Sequence, residues 1–420
     1  MLSSIVTRHH GPSVLPAWFY WLGEVERLGA VTYEVRHSRR PIARLEIMAP
    51  AFEPGLGGVH PRARWVLSRF AIQRRQEGNL VLESPLSCAK LHLLDGSAAA
   101  TLVALARPCS IADAARIGDV PRTVAADLMS VLEYAKLIVP ADAAEKTPED
   151  APASLGLWHA ADLAFHGRSR SGRHDDRADK FRFRHTVSPL AAVKPRMSAR
   201  PIPLEVPRAD KISDADPPFT TVLEGRRSIR TYDDRRPITL SQLGEFLYRT
   251  ARLKETIEPD GKLLLYQSSR RPYPGAGGCY ELEIYPVVNR CRGLKRGIYH
   301  YHPSDHTLEP IPNSAPAVPT MMRDTLIAEN AGGPRQVVLT ITARFQRVAW
   351  KYNGSSYAAI LKNVGVLFQT FYLVATAMGL APCALGGGNA DLFGRVVGLP
   401  FHEESSVGEF MLGSRAPAAE

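Results

Sequence analysis

The chain has 420 residues, 45% of them hydrophobic, enough for a sizeable core divided over two or three domains of a soluble, enzyme-sized protein. Its 52 Lys and Arg exceed its 42 Asp and Glu by ten, a balance that favours phosphate-bearing or acidic ligands without choosing among them. Five widely scattered cysteines (Cys88, Cys109, Cys279, Cys291, Cys383) with no C-x-x-C pair argue against both a disulfide framework and a zinc site.

The N-terminal MLSSIVTRHHGPSV lacks the apolar core of a signal peptide, so a cytoplasmic location is expected. FYWLGEVERLGAVTYEVRHSRRPIARLEI reads as a helix followed by a hairpin, and residues 1–61 are set apart as a degenerate winged-helix-like segment. Next come three strands, WVLSRFAI, LVLES and AKLHLL, with a turn at QEGN. Three helical patterns follow within SAAATLVALA, SIADAARIG and TVAADLMSVLEYAKLIV; the last has apolar residues at Ala125, Leu128, Val131, Leu132 and Ala135. A strand meander with a helical trio suggests a winged-helix module over residues 62–140. Its last helix offers Arg122 and few other groups that reach base edges, so nucleic acid is not expected as a partner. This module resembles the PqqD-like recognition element of peptide-modifying enzymes, which implies that a leader peptide adds to it as a strand. Residues 141–217, rich in Ala, Asp, Pro and Arg, are expected to be a linker with one anchoring helix inside SLGLWHAADLAFHG.

From residue 218 to 420 the chemistry-bearing motifs accumulate. Arg226, Arg227, Ser228 and Arg230 cluster ahead of an amphipathic helix beginning at Leu240. Guanidinium groups beside a hydroxyl suit a phosphate monoester, whereas an isolated Arg cluster is ordinarily a solvated face. RRPYPGAGGCYELEIYPVV sets Pro274, Gly275, Ala276, Gly277 and Gly278 before an alternating strand, where backbone must approach something closely. In GLKRGIYHYHPSDHTLEPI, His300, His302 and His306 lack a convincing carboxylate or cysteine to complete a metal shell; a surface hairpin is expected, and no metal. Lys351 and Tyr352 stand just ahead of the long apolar stretch Tyr357 to Met378. Lys362, Asn363 and Gln369 interrupt that stretch, so it reads as a buried helix, not a membrane span. CALGGGNAD is a glycine-rich turn without G-x-G-x-x-G or a βαβ setting, and so is no Rossmann fingerprint.

These motifs, in this order over residues 155–417, resemble the SagB-type and cyanobactin-oxidase-type dehydrogenases of the nitroreductase superfamily. R-x-S-x-R at Arg226, Ser228 and Arg230 resembles the superfamily's opening motif, and Pro274–Gly277 its P-S-A-G loop with Gly275 where Ser is usual, so position 275 offers no side-chain hydroxyl. Lys351–Tyr352 resembles the catalytic pair. The resemblance implies an α+β fold, a nitroreductase-like FMN-binding domain with a central, mostly antiparallel sheet and surrounding helices, preceded by winged-helix-like domains. It implies FMN as cofactor, held by Arg226, Arg227, Ser228, Arg230, the Pro274–Gly277 loop, Gln369 and Arg415, with an amide of Gly386 or Gly387 at flavin N5. It implies Lys351 and Tyr352 as catalytic residues, a homodimer, an azoline-containing precursor peptide as substrate and a cyclodehydratase as partner. The expected reaction is dehydrogenation of thiazoline or oxazoline to the azole. The rivals are an NAD(P)H-dependent reductase of the same fold and a non-catalytic leader-binding scaffold.

Overall fold

The computed structural model describes residues 2–53, 58–152, 154–174, 180–327 and 335–416. The chain divides into two compact units, Met1–Ala178 and Asp179–Glu420.

The N-terminal unit opens with α1 (Leu2–His10) and α2 (Leu15–Arg27), then the hairpin β1 (Thr32–His37) and β2 (Arg40–Ile47). Ser38 and Arg39 turn it with φ of 49° and 68°, the left-handed pair a two-residue hairpin uses. β3 (Arg64–Leu67), β4 (Ile72–Gln76), β5 (Asn79–Glu83) and β6 (Ala89–Leu93) lead to α3 (Gly96–Ala104), α4 (Ile111–Gly118), α5 (Arg122–Tyr134), β7 (Ile138–Ala141) and, further on, α6 (Ala160–Arg168). Asp95 caps α3, and a Ser110–Asp113 capping box starts α4. α5 buries Val124, Ala125, Leu128, Met129 and Leu132, the face its periodicity marks.

Three expectations change here. The run Trp65–Ile72 is not one strand: β3 ends at Leu67 and β4 begins at Ile72, because Ser68 turns its hydroxyl to the buried Glu149 (2.6 Å) and Phe70 drops into the interior; β3 pairs with β7. Residues 1–61 do not stand apart: β2 pairs with β6, giving one five-stranded sheet in the order β1-β2-β6-β5-β4. The outer edge of the meander is thus filled from within the chain, leaving β1 and β4 at the sheet edges. The expected linker 141–217 is also divided, its first part joining this unit through Glu149, whose carboxylate takes bonds from Ser68 and the Arg69 amide.

The C-terminal unit carries the rest of that stretch. Residues 187–191 supply carbonyls to Trp350, Arg347 and Arg344, and β8 (Ile202–Pro203) joins a sheet edge. A polar, proline-rich composition conceals this packing because the contacts run through backbone oxygens. After α7 (Ala209–Ala215), α8 (Phe219–Gly225), α9 (Leu240–Ala251), β9 (Glu255–Ile257) and β10 (Ser268–Arg270) come β11 (Leu282–Val288), β12 (Gly297–His302), β13 (Thr307–Pro310), α10 (Val318–Ile327), β14 (Val337–Arg344) and α11 (Phe345–Ala349). α12 (Ser356–Ala377), β15 (Leu380–Leu385), α13 (Ala390–Val397) and β16 (Glu404–Ser414) complete it. Seven strands pair antiparallel in the order β15-β16-β14-β11-β12-β13-β8, with helices around them, as expected of the fold class. α12 is long and apolar enough to cross a membrane, yet Ile360, Val364, Leu367 and Phe371 make it the core helix of this unit.

The three histidines do not form a surface hairpin. His300 is fully buried between Glu283 and Glu309, each carboxylate 3.0 Å from one ring nitrogen. Burial alone would depress its pKa, but the two carboxylates outweigh that and hold it raised, favouring the protonated ring. His302 and His306 are buried as well. No His, Cys, Asp or Glu cluster fit for a metal occurs among the described residues.

Candidate active site

α8 ends at Gly225, and the chain leaves it extended, so Arg226 and Arg227 emerge beside the C-terminal end of α12 and the end of β16. A cleft of about 490 Å³ opens there, lined by Arg226, Arg227, Arg415, Thr221 and Thr376, with Glu224 the one carboxylate among its lining residues. Arg415 reaches it because Tyr232 and Arg415 form a β-bridge that fixes the end of β16. The Arg226 guanidinium lies 5.3 Å from the Tyr372 ring centre, a cation–π contact. Ser228 Oγ is 2.7 Å from the Tyr372 hydroxyl, which also accepts the Ala384 amide at 2.8 Å, and the Ile229 amide donates to Pro382 O at 2.8 Å. The motif is thus stitched to α12 and β15. Arg226, Arg227 and Arg415 converge; Ser228 faces Tyr372; Arg230 is exposed and does not line the cleft, its carbonyl accepting from Arg335.

A second convergence lies at the glycine loop before β11. Gly277 is left-handed at φ 58°, and a Cβ placed on it would lie 2.2 Å from Lys351 Nζ and 2.6 Å from the Tyr352 hydroxyl. Lys351 Nζ donates to Tyr266 Oη at 2.6 Å and to Gly277 O at 3.2 Å, and Tyr266 also donates to Gly277 O. Burial lowers the Lys351 pKa, and Lys180 lowers it further against an opposing effect of Cys279. Burial raises the phenols of Tyr352 and Tyr266, and the thiol of Cys279. The amine is pushed toward its neutral form while the phenols keep their protons.

Residues that sequence reasoning did not assign to the site hold it in place. The Ala276 amide donates to Asn363 Oδ1 (3.1 Å), and Asn363 Nδ2 donates to the fully buried Glu281 (2.8 Å). Arg347, 3% exposed, donates to the carbonyls of Cys279, Gln267 and Leu190. The available signal for Asn363 was an amide within an apolar helix; for Arg347 it was a cation four residues before Lys351. Tyr266 had none beyond its aromatic character.

Asn363 at one locus and Tyr372 at the other both lie on α12, nine residues or roughly 14 Å apart along its axis. Gln369 is exposed on the intervening stretch, Pro274 is exposed on the glycine loop, and a Cβ on Gly275 would press the Tyr280 ring at 3.2 Å. Gly386 and Gly387, exposed after β15, have open space where side chains would be, whereas Gly388 backs onto the buried carboxyl of Glu409.

A phosphate-suited arginine cleft and a lysine of lowered pKa under a glycine loop are thus both tied to the core helix beside an antiparallel sheet. Residues 223–414 match the Nitroreductase family model, and residues 65–175 match the model described as Cyanobactin oxidase ThcOx. The chain thus joins a segment matching cyanobactin oxidases to one matching the nitroreductase family of oxidoreductases, a family that typically binds flavin. It is 28% identical over 165 residues to a Methanocaldococcus jannaschii protein named for the nitroreductases, covering 39% of this chain and 76% of that one. It is also 28% identical over 123 residues to the Microcin B17-processing protein McbC of Escherichia coli, covering 27% of this chain and 43% of that one. Among solved structures, a chain of the E. coli microcin synthetase McbBCD complex with truncated pro-MccB17 bound matches 61% of this chain and 93% of its own length, at 18% identity and a TM-score of 0.39.

Proposed function

We propose that this chain is an FMN-dependent oxidase that dehydrogenates thiazoline or oxazoline rings of a ribosomally made peptide to thiazole or oxazole. The observation that carries the proposal is the convergence of Lys351 Nζ and the Tyr352 hydroxyl on Gly277, in a chain that also bears a cyanobactin-oxidase segment. Aromatisation removes a proton and a hydride from adjacent ring carbons, so the protein must supply a base next to a two-electron acceptor.

The residues present fit FMN. Arg226, Arg227 and Arg415 offer forked, permanently charged donors to a phosphate monoester, and the open Gly386–Gly387 backbone leaves room for a ring edge. Bound there, FMN supplies the hydride acceptor. The chain's own part is the proton: Lys351, partly desolvated and steadied by Tyr266 and Gly277 O, receives it at Nζ. Tyr352, still protonated, orients the ring nitrogen or relays the proton. Ser228, Gln369 and the Pro274–Gly277 loop complete the cofactor's surroundings in this reading, and Arg230 lies outside them.

The N-terminal unit holds the leader of an azoline-containing precursor peptide, a cyclodehydratase supplies the azolines, and the active form is a cytoplasmic homodimer. An azoline-bearing peptide incubated with the protein and FMN should lose two hydrogens per ring by mass spectrometry. Unchanged peptide mass alongside steady NADPH consumption would point to a reductase instead.

A further inference from the structure

The N-terminal unit contains a cavity of about 680 Å³ bounded by α2, β1, Phe52 and α5. Its walls are mainly aromatic: Phe19 and Tyr20 from α2, Tyr33 from β1, Phe52, and Tyr134 from α5. Tyr134 meets Tyr33 at 5.4 Å between ring centres and Phe52 at 5.6 Å, while Phe19 and Tyr20 stand 55% and 59% exposed. Among the lining residues Glu26 is the one carboxylic acid, and it is 5% exposed.

The hydrogen bonding of Glu26 is one-sided. Tyr33 and Tyr134 both donate their hydroxyls to Oε1, the latter at 3.0 Å. No described residue bonds to Oε2, and no Lys, Arg or His of the described residues pairs with the carboxylate. Burial pushes this carboxyl above its usual range, partly opposed by Tyr134. A carboxylate removed from water without a cation is costly, and two phenols on one oxygen only partly offset that cost. Aromatic faces around a carboxylate are also the chemistry that recognises an organic cation.

β1 adds the form of the ligand. It lies at the end of the five-stranded sheet and, among the described strands, pairs with β2 alone, so its outer edge can take an added strand. Side chains of such a strand on the same face as Tyr33 would point at the cavity, since alternate residues share a face.

We infer that this cavity is a recognition pocket for one basic side chain, arginine or lysine, of a peptide laid along β1, with its cation on Glu26 Oε2 and its stem between Phe19, Tyr20 and Phe52. The flavin chemistry is not involved, so the pocket and the oxidase reading stand or fall separately.

The test uses the full chain and three capped probes: acetyl-Thr-Val-Arg-Val-Thr-amide and its citrulline and leucine counterparts, titrated by calorimetry without turnover. Citrulline keeps the shape of arginine and removes its charge. The arginine peptide should bind at least tenfold more tightly than either counterpart; Glu26→Gln should abolish that preference, and Tyr20→Ala, at the exposed mouth, should weaken the arginine peptide alone. Equal binding of arginine and citrulline peptides, tighter binding of the leucine peptide, or no binding of any up to millimolar concentration would overturn the inference. Because the wild-type comparison is decisive by itself, a Glu26→Gln protein that fails to fold does not blunt the test.

Discussion

Replacing Gly277 by alanine tests the proposed catalytic pair without touching either member. The new methyl would sit 2.2 Å from Lys351 Nζ and 2.6 Å from the Tyr352 hydroxyl, whereas ordinary non-bonded contact needs about 3.5 Å. Lys351 is the far end of a flexible chain, so it yields, and its nitrogen moves by about 1 Å or more from Tyr266. A misplacement of that size in a reacting group costs on the order of a hundredfold in rate. The left-handed φ of 58° adds about 1–2 kcal/mol of backbone strain for any L side chain. Gly398→Ala is the control, because Gly398 has φ 80° with nothing within 4 Å of its would-be Cβ and so carries the strain alone. Turnover of an azoline peptide, read as loss of two hydrogens, should fall about a hundredfold in Gly277→Ala and stay near wild type in Gly398→Ala, with comparable small drops in Tm. If Gly277→Ala turns over within twofold of wild type while folded, Lys351 and Tyr352 do not act where the proposal puts them.

Arg226→Ala with Arg415→Ala should strip FMN during desalting, read by flavin absorbance, whereas Arg230→Ala should retain most of it; full occupancy in the double variant would falsify the phosphate cleft. Because Lys351 must be neutral to accept a proton and burial depresses its pKa, kcat/KM should rise with pH along a limb centred below the ordinary value of 10.5. Lys351→Ala should remove that limb, and its survival in the variant would assign it elsewhere. Asn363→Leu leaves the Ala276 amide and the buried Glu281 without their shared partner, so Tm should drop with a loss of roughly 1–3 kcal/mol, and an unchanged Tm would show that the link is idle. Tyr357 and Leu361 are exposed on α12, so Leu361→Arg should convert the proposed dimer to a monomer; light scattering giving 46 kDa for the FMN-loaded wild type contradicts the dimer outright.

Elements with a clear hydrophobic period were legible in the sequence, and those defined by long-range polar contacts were not. α5 and α12 announce themselves by spacing, as does the strand after QEGN, whereas the polar β4 before it does not. The strand pairing of β2 with β6 was hidden because nothing local to residues 32–47 says which edge they join. The histidine strand was misread because His300, His302 and His306 look polar in isolation; only the fold brings Glu283 from β11 and Glu309 from β13 to His300, turning a surface pattern into a buried ion network. At the site, Arg226, Arg227 and Arg415 were readable as a set only through family resemblance, since nearly two hundred residues separate the first from the last. Arg230 shares the motif but not the cleft, because Arg335 holds the Arg230 carbonyl and the chain has already passed toward Tyr232.

Arg347 and Lys351, four residues apart, explain how one short segment supplies both a support and the proposed base. Both side chains are drawn out of water against the same loop, and burial presses both pKa values downward. Arg347 spreads its donors over the carbonyls of Cys279, Gln267 and Leu190, and a guanidinium remains charged in any protein setting, so it stays a cation and ties the loop to α11. Lys351 has one carbonyl and one phenol, too little to compensate a desolvated ammonium, and an amine can release its proton where a guanidinium cannot. The same burial therefore yields opposite outcomes: the arginine fixes where Gly277 lies, and the lysine above it is left as the group best able to take a proton.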